Sequence, residues 1–201
     1  MNDSQANVFT AFIGSKRLAS GPLDQVAIAA KKALDRGTQQ TVLIYNDATG
    51  RSIDIDSRGS DAEILARLAR PAPPSAPRGP GRPKLGVVAR EVTLLPRHWQ
   101  WLGSQPGGAS VAIRKLVETA RRTHQEADQH RQKLEAAYHF MSAMAGNLPN
   151  FEEASRALFA NDRGVLTELI AHWPADVRDH AIALAFGSGA TPESASIDLE
   201  A

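Results

Sequence analysis

Residues 8–56, VFTAFIGSKRLASGPLDQVAIAAKKALDRGTQQTVLIYNDATGRSIDID, decide the fold class. The stretch opens with VFTAFIG, a polar break at Ser15-Lys16-Arg17, and LASG, the pattern of a short β-hairpin. Pro22 then opens a helix, because the first helical turn has no use for the N–H that proline lacks. Val26, Ala29, Ala30, Ala33 and Leu34 recur at helical spacing, and Gly37 falls where a helix commonly ends on a left-handed residue. The strand candidate TVLIYND follows at once, then a turn over Asp47–Gly50, then RSIDID, whose alternation of apolar and polar residues predicts a half-exposed strand. Ser60 with Glu63 forms a capping-box pattern ahead of a helix carrying Ile64, Leu65 and Leu68. Residues 1–69 are therefore expected to form a small α+β domain on an antiparallel sheet.

Outward from this stretch, the 201 residues contain no cysteine, which excludes a disulfide scaffold, a thiolate metal site and a thiol nucleophile. No run of about 18 apolar residues predicts a membrane span, and MNDSQANVFTAF has neither the cationic start nor the apolar run of a secretory signal, so a cytoplasmic location is expected. The net charge of +1 conceals segregation. Counted by region, residues 1–69 hold eight Lys/Arg and eight Asp/Glu, residues 70–133 hold twelve and four, and residues 134–201 hold three and ten. A basic middle between a neutral head and an acidic tail points to a polyanionic partner. The acidic tail is read as a screen for that middle when no polyanion is bound, so that deleting residues 149–201 is expected to raise non-specific affinity.

Residues 70–86 form a Pro/Gly/Arg linker, with six of the twelve prolines between 70 and 83 fixing φ and removing backbone donors. Within it, Arg78-Gly-Pro-Gly-Arg82-Pro83-Lys84 resembles an AT-hook, a short motif that lies extended in the minor groove of A·T-rich DNA. The narrow groove there has an enhanced negative potential that attracts arginine, and proline keeps the backbone extended. This chain has Pro-Gly-Arg-Pro where the usual core is Arg-Gly-Arg-Pro, and the other reading of the segment is a solvated spacer.

Residues 87–148 form the next segment. VVAREVTLL is a strand candidate, Pro96 fits the first turn of a short helix through His98, Trp99 and Leu102, QPGG breaks it, and Ser110 is read as the cap of a long helix. From Ile113 a four-three spacing runs through Val117, Ala120, His124, Ala127, Arg131, Leu134, Tyr138, Met141 and Ala145, with no Gly or Pro before Gly146. His124 and Arg131 weaken the middle of that seam, and its partner could be a second copy or the chain's own tail.

The stretch Glu91–Arg122 resembles a ribbon-helix-helix domain. The resemblance implies a dimer whose paired strands enter the major groove while the second helix presents its N-terminus to phosphate. Ser110, Arg114 and Lys115 match the phosphate-contacting end. Aligned on Pro96, the groove-facing strand positions fall on Arg90, Val92 and Leu94, of which only Arg90 can hydrogen-bond a base, so base-specific reading is expected to be poor. The other reading is a dimerisation core that never touches DNA.

Residues 149–186 are expected to fold as three short helices, broken at Asn161-Asp162 and at Pro174, and residues 187–201, small and acidic, to be disordered. No catalytic, metal or cofactor residue is assigned. The six histidines (98, 124, 130, 139, 172 and 180) contain no i,i+4 pair, and neither a nucleophile elbow, a phosphate loop nor a dinucleotide glycine pattern is present. Asp54 and Asp56 are read as the wet face of a strand, Asp162, Asp176 and Asp179 as helix caps or arginine partners, and Trp99, Trp101 and Trp173 as anchors of cores or interfaces.

Taken together, GRPKLGVVAREVTLLPRHWQWL, GGASVAIRKLVETAR, FEEASRALFANDRGVL and HWPADVRDH resemble a bacterial family classified only as a domain of unknown function, from about Thr10 to Ala185. That resemblance brings no activity with it. The residues themselves lead to a non-enzymatic, homodimeric bacterial DNA-binding protein, transcription-regulating or nucleoid-associated, with no cofactor. Arg78, Arg82, Lys84, Arg90, Ser110, Arg114 and Lys115 are its candidate DNA contacts. The rival expectation is a protein-interaction scaffold whose basic segment pairs with acidic protein surface.

Overall fold

The computed structural model describes residues 8–69, 88 and 90–187. The linker with Arg78, Arg82 and Lys84, and the acidic terminus from 188 on, lie outside the described residues. The chain divides into two compact units, one built from the N-terminal residues together with those from 129 on, the other from residues up to 128.

The first unit begins with four strands, β1 (Phe9–Ile13), β2 (Lys16–Gly21), β3 (Val42–Asn46) and β4 (Arg51–Ile53), in sheet order β2-β1-β3-β4 with every neighbour antiparallel. Helix α1 (Leu23–Asp35) connects β2 to β3, and α2 (Asp61–Leu68) follows β4. The capping box at α2 forms as the sequence predicts: the Ser60 hydroxyl accepts from the Glu63 N–H, and the Glu63 carboxylate accepts from the Ser60 N–H at 2.7 Å. The fold class is α+β, with the expected antiparallel sheet and a mainly helical C-terminal half.

Four of the five residues of β1 are buried, more than a one-sided sheet requires. Phe9 and Ala11 pack with Val26 and Ala30 of α1 and with Ile44 of β3. On the opposite face, Phe12 and Tyr45 join a second and larger core. That core is supplied by the end of α4 (Gly108–Ala145) and by α5 (Phe151–Phe159), α6 (Arg163–Leu169) and α7 (Ala175–Phe186). The sheet is thus covered on both faces, and the three C-terminal helices, which the sequence separates from residues 1–69, share its core.

The breaks between the three helices fall where expected. Asp162 caps α6, its carboxylate accepting from the Val165 N–H at 3.0 Å, and Asn161 takes a left-handed conformation with φ 57°. Trp173 is buried and its indole N–H donates to the Pro149 carbonyl at 2.9 Å. Along α4, Leu134, Met141 and Ala145 of the predicted seam are buried against the chain's own tail, while Val117, Ala120, His124 and Ala127 are exposed. Because α5–α7 supply this core, removing residues 149–201 would dismantle the first unit and could not report on screening of the basic middle.

Among the described residues the second unit consists of a segment without helix or strand ending at Leu95, helix α3 (Pro96–Gly103) and the first part of α4. Residues 90–95 form no strand, which corrects the expectation for VVAREVTLL: a strand exists only through ladder bonds to a neighbour, and none is available in a single chain.

Candidate functional site

Pro96 stands in the first turn of α3 as predicted, and the Leu95 backbone before it is extended, with φ −65° and ψ 150°, as a residue preceding proline must be. Gly107 and Gly108, with φ of 86° and 74°, carry the chain back into α4. The helix therefore starts at Gly108, and Ser110 lies inside its first turn instead of capping it. Leu102 of α3 and Ala112 of α4 are buried, and Leu102 lines one groove with Ile113 of α4.

Around that contact an apolar groove of about 350 Å³ is lined by Val92, Leu94, Trp101, Ile113, Leu116 and Val117, with His98 and Leu102 completing it. Its walls are large apolar side chains left open: Val92, Trp101, Leu116 and Val117 are each more than half exposed. Contiguous apolar surface of this kind marks an interaction site more often than a wet face. Val92 and Leu94, which alignment on Pro96 places toward DNA, both line this groove.

Among the candidate contacts that are described, Arg90, Ser110, Arg114 and Lys115 are all exposed. Arg114 leans along the helix, its Nε donating to the Ser110 carbonyl at 3.1 Å. One turn further on, Arg121 and Arg122 both hold Glu118, at 3.2 and 3.3 Å. Ser110, Arg114 and Lys115 thus share the first two turns of α4, where the helix dipole adds to their positive field.

The first unit holds a second constellation that sequence reasoning missed. Thr10, fully buried, donates from Oγ1 to Asp47 Oδ2 at 2.9 Å, and Ser20 Oγ lies 3.0 Å from the same Thr10 oxygen. A hydroxyl has one proton, so with Thr10 donating to the carboxylate, Ser20 must donate to Thr10. The other carboxylate oxygen, Asp47 Oδ1, lies 3.5 Å from Nε2 of His180, which is 5% exposed and sits against the rings of Phe12 and Phe140 at 5.4 and 4.7 Å. Both of these facing atoms are buried without a hydrogen bond, an unusual state for polar atoms. No motif could have revealed the group, because its four members come from β1, β2, the turn after β3 and α7.

The remaining candidates have structural roles. Asp56 lies beyond β4 and pairs with Arg58 at 2.9 Å, Asp176 accepts from the Arg17 N–H at 2.8 Å, and Asp179 pairs with Arg178 at 2.8 Å. Trp99 and Trp101 are exposed on α3, while Trp173 is a core residue. Among the described residues no group of three or more His, Asp or Glu is placed to hold a metal ion, and no helix is long and apolar enough to cross a membrane.

The described residues thus comprise an α+β unit with a covered sheet and a helical unit with an open apolar groove. Residues 8–185 match the family described as uncharacterized proteins conserved in bacteria, DUF2239, and the chain belongs to that family. No curated protein and no solved structure matches it.

Proposed function

We propose that this protein is a homodimeric DNA-binding protein that grips the phosphate backbone and reads bases poorly. The observation that carries the reading is the pairing of an open groove at Val92, Trp101, Leu116 and Val117 with exposed cations in the first two turns of α4. The occupant of the groove is a second copy of the same chain. Residues 90–95 form no strand with any described residue, and a twofold-related copy supplies both the missing strand and apolar side chains for the groove. This is the dimer that the ribbon-helix-helix resemblance implies.

Dimerisation doubles the number of exposed cations on one particle, and Arg114 and Lys115 at the helix start are suited to phosphate. The strand positions opposite Val92 and Leu94 are Glu91 and Thr93, and a glutamate is repelled by phosphate unless it accepts a hydrogen bond from a cytosine amine. Affinity therefore comes from backbone contacts, with the Arg82 and Lys84 segment adding minor-groove contact in A·T-rich sequence.

The test is fluorescence anisotropy with random, A·T-rich and G·C-rich duplexes at two salt concentrations, beside sedimentation of the same samples. Binding should fall with salt at a log–log slope of about −0.9 per phosphate neutralised, and Arg114→Ala with Lys115→Ala should flatten that slope by up to roughly four such contacts, two from each copy. Leu116→Asp should yield a folded monomer with weaker DNA binding. Replacing Arg82 and Lys84 by alanine should cost more on A·T-rich than on G·C-rich duplex. A dimer that binds no duplex at low salt would overturn the DNA reading and leave a protein-interaction scaffold.

A further inference from the structure

A cleft of about 470 Å³ opens above the buried Asp47–His180 pair in the first unit. Its position follows from helix geometry. Gln129, Gln132, Lys133 and Ala136 are spaced i, i+3, i+4 and i+7, so they share one face of α4, and His180, Ala183 and Leu184 share one face of α7 in the same way. Arg17 and Ser20 of β2, Val8 ahead of β1, and the Asp47-Ala48 turn close the remaining sides. The bond from the Arg17 N–H to Asp176 at the start of α7 fixes the β2 wall against the helix.

The lining divides by chemistry. Arg17, Lys133, Gln129, Gln132 and Ser20 all present donors, and Arg17 and Lys133 bring positive charge. The single acid is Asp47; one of its oxygens is occupied by Thr10 and the other faces His180. The rest of the lining includes Val8, Ala136, Ala183 and Leu184, small and branched apolar groups. Ligand sites commonly occupy about 300–1,000 Å³, mostly apolar with a few convergent polar groups, and this cleft falls in that range. Beneath it stand two buried polar atoms without a hydrogen bond, Asp47 Oδ1 and His180 Nε2, a state that folds rarely retain without a use.

We infer that this cleft binds a small amphipathic organic anion, its carboxylate or phosphate held by Arg17, Lys133 and the two glutamines, and its apolar body laid on Val8, Ala183 and Leu184 above His180. A donor-rich, net positive rim excludes cations, and the apolar wall excludes ions that consist of a headgroup alone. The inference concerns the first unit and is independent of the DNA-binding proposal.

Titration calorimetry on the full chain tests it, with octanoate as the probe and 1-octanol and inorganic phosphate as the comparison arms. Octanoate should bind saturably at one site per chain, at least tenfold more tightly than either comparison compound. Arg17→Gln with Lys133→Gln, two exposed substitutions that leave the core intact, should weaken octanoate at least tenfold. Ala183→Trp should also abolish binding by filling the cleft, with an unchanged unfolding midpoint showing that the chain still folds. Leu116→Asp, which alters the apolar groove of the second unit, should leave octanoate binding as it was. The inference is overturned by any of three results: no saturable octanoate binding, equal affinity for octanol or phosphate, or binding that survives the charge substitutions.

Discussion

Gly50 stands directly against the backbone carbonyl of Ala136, so that the turn after β3 rests on α4 with no side chain between them. A methyl group at Gly50 would overlap that carbonyl, and φ is 64°, in the region that glycine alone enters without penalty. The contact lets Asp47, three residues earlier in the same turn, sit beneath the cleft.

Gly50→Ala therefore combines left-handed strain with a clash against backbone that cannot move aside, and should destabilise the first unit by about 2–5 kcal/mol in urea unfolding. Gly37→Ala, with φ 76° but no atom within 4 Å of the added carbon, should cost only about 1–2 kcal/mol. Equal losses at the two sites would show that the close approach to Ala136 contributes nothing.

Phe140 is fully buried, with its ring 5.0 Å from Tyr45, 5.3 Å from Phe12 and 4.7 Å from His180. Phe140→Ala should remove about 3–5 kcal/mol of stability, a transfer and cavity cost measurable as a lowered denaturant midpoint.

Thr10→Val keeps the shape of a buried side chain but removes the donor to Asp47 and the acceptor for Ser20. With a carboxylate oxygen left unpaired, the loss should be about 1–3 kcal/mol. Ser20→Ala, at an exposed position, should cost less; the reverse order would contradict the direction of the proton chain.

Asp56 is held down to about 2 by hydrogen bonds from the Arg58 side chain and backbone, with Arg67 adding charge, against an ordinary value of 3.8. Because its folded value lies below the unfolded one, the stabilisation is complete above about pH 4 and is lost as the pH falls toward 2. In Asp56→Asn the acid side of the stability profile should be shallower between pH 4 and 2, with no change in its slope above pH 5.

Local signals in the sequence were strong wherever a residue's role is set by its near neighbours. The hairpin around Lys16, α1 with Gly37 after it, the Ser60–Glu63 box, Pro96 at the start of α3 and the breaks at Asn161 and Pro174 are all short-range chemistry, and all lie where periodicity and capping put them. The second face of the sheet was not legible, because Thr10 and Phe12 owe their burial to helices more than a hundred residues away. For the same reason Asp47 read as a turn residue and His180 as one histidine among six. A cap at Ser110 would start α4 three residues too late, because consecutive glycines at 107 and 108 leave the start of the helix to backbone geometry that composition does not encode.

One core joins Phe12 and Tyr45, near the beginning of the chain, to Val177 and Ala185, near its end. A ribosome adding about 5–20 residues per second needs on the order of ten seconds to travel from Tyr45 to Ala185. Throughout that interval the nascent sheet has α1 on one side and nothing of its own on the other, so the aromatic face of β1 and β3 is a natural stop for a chaperone during translation.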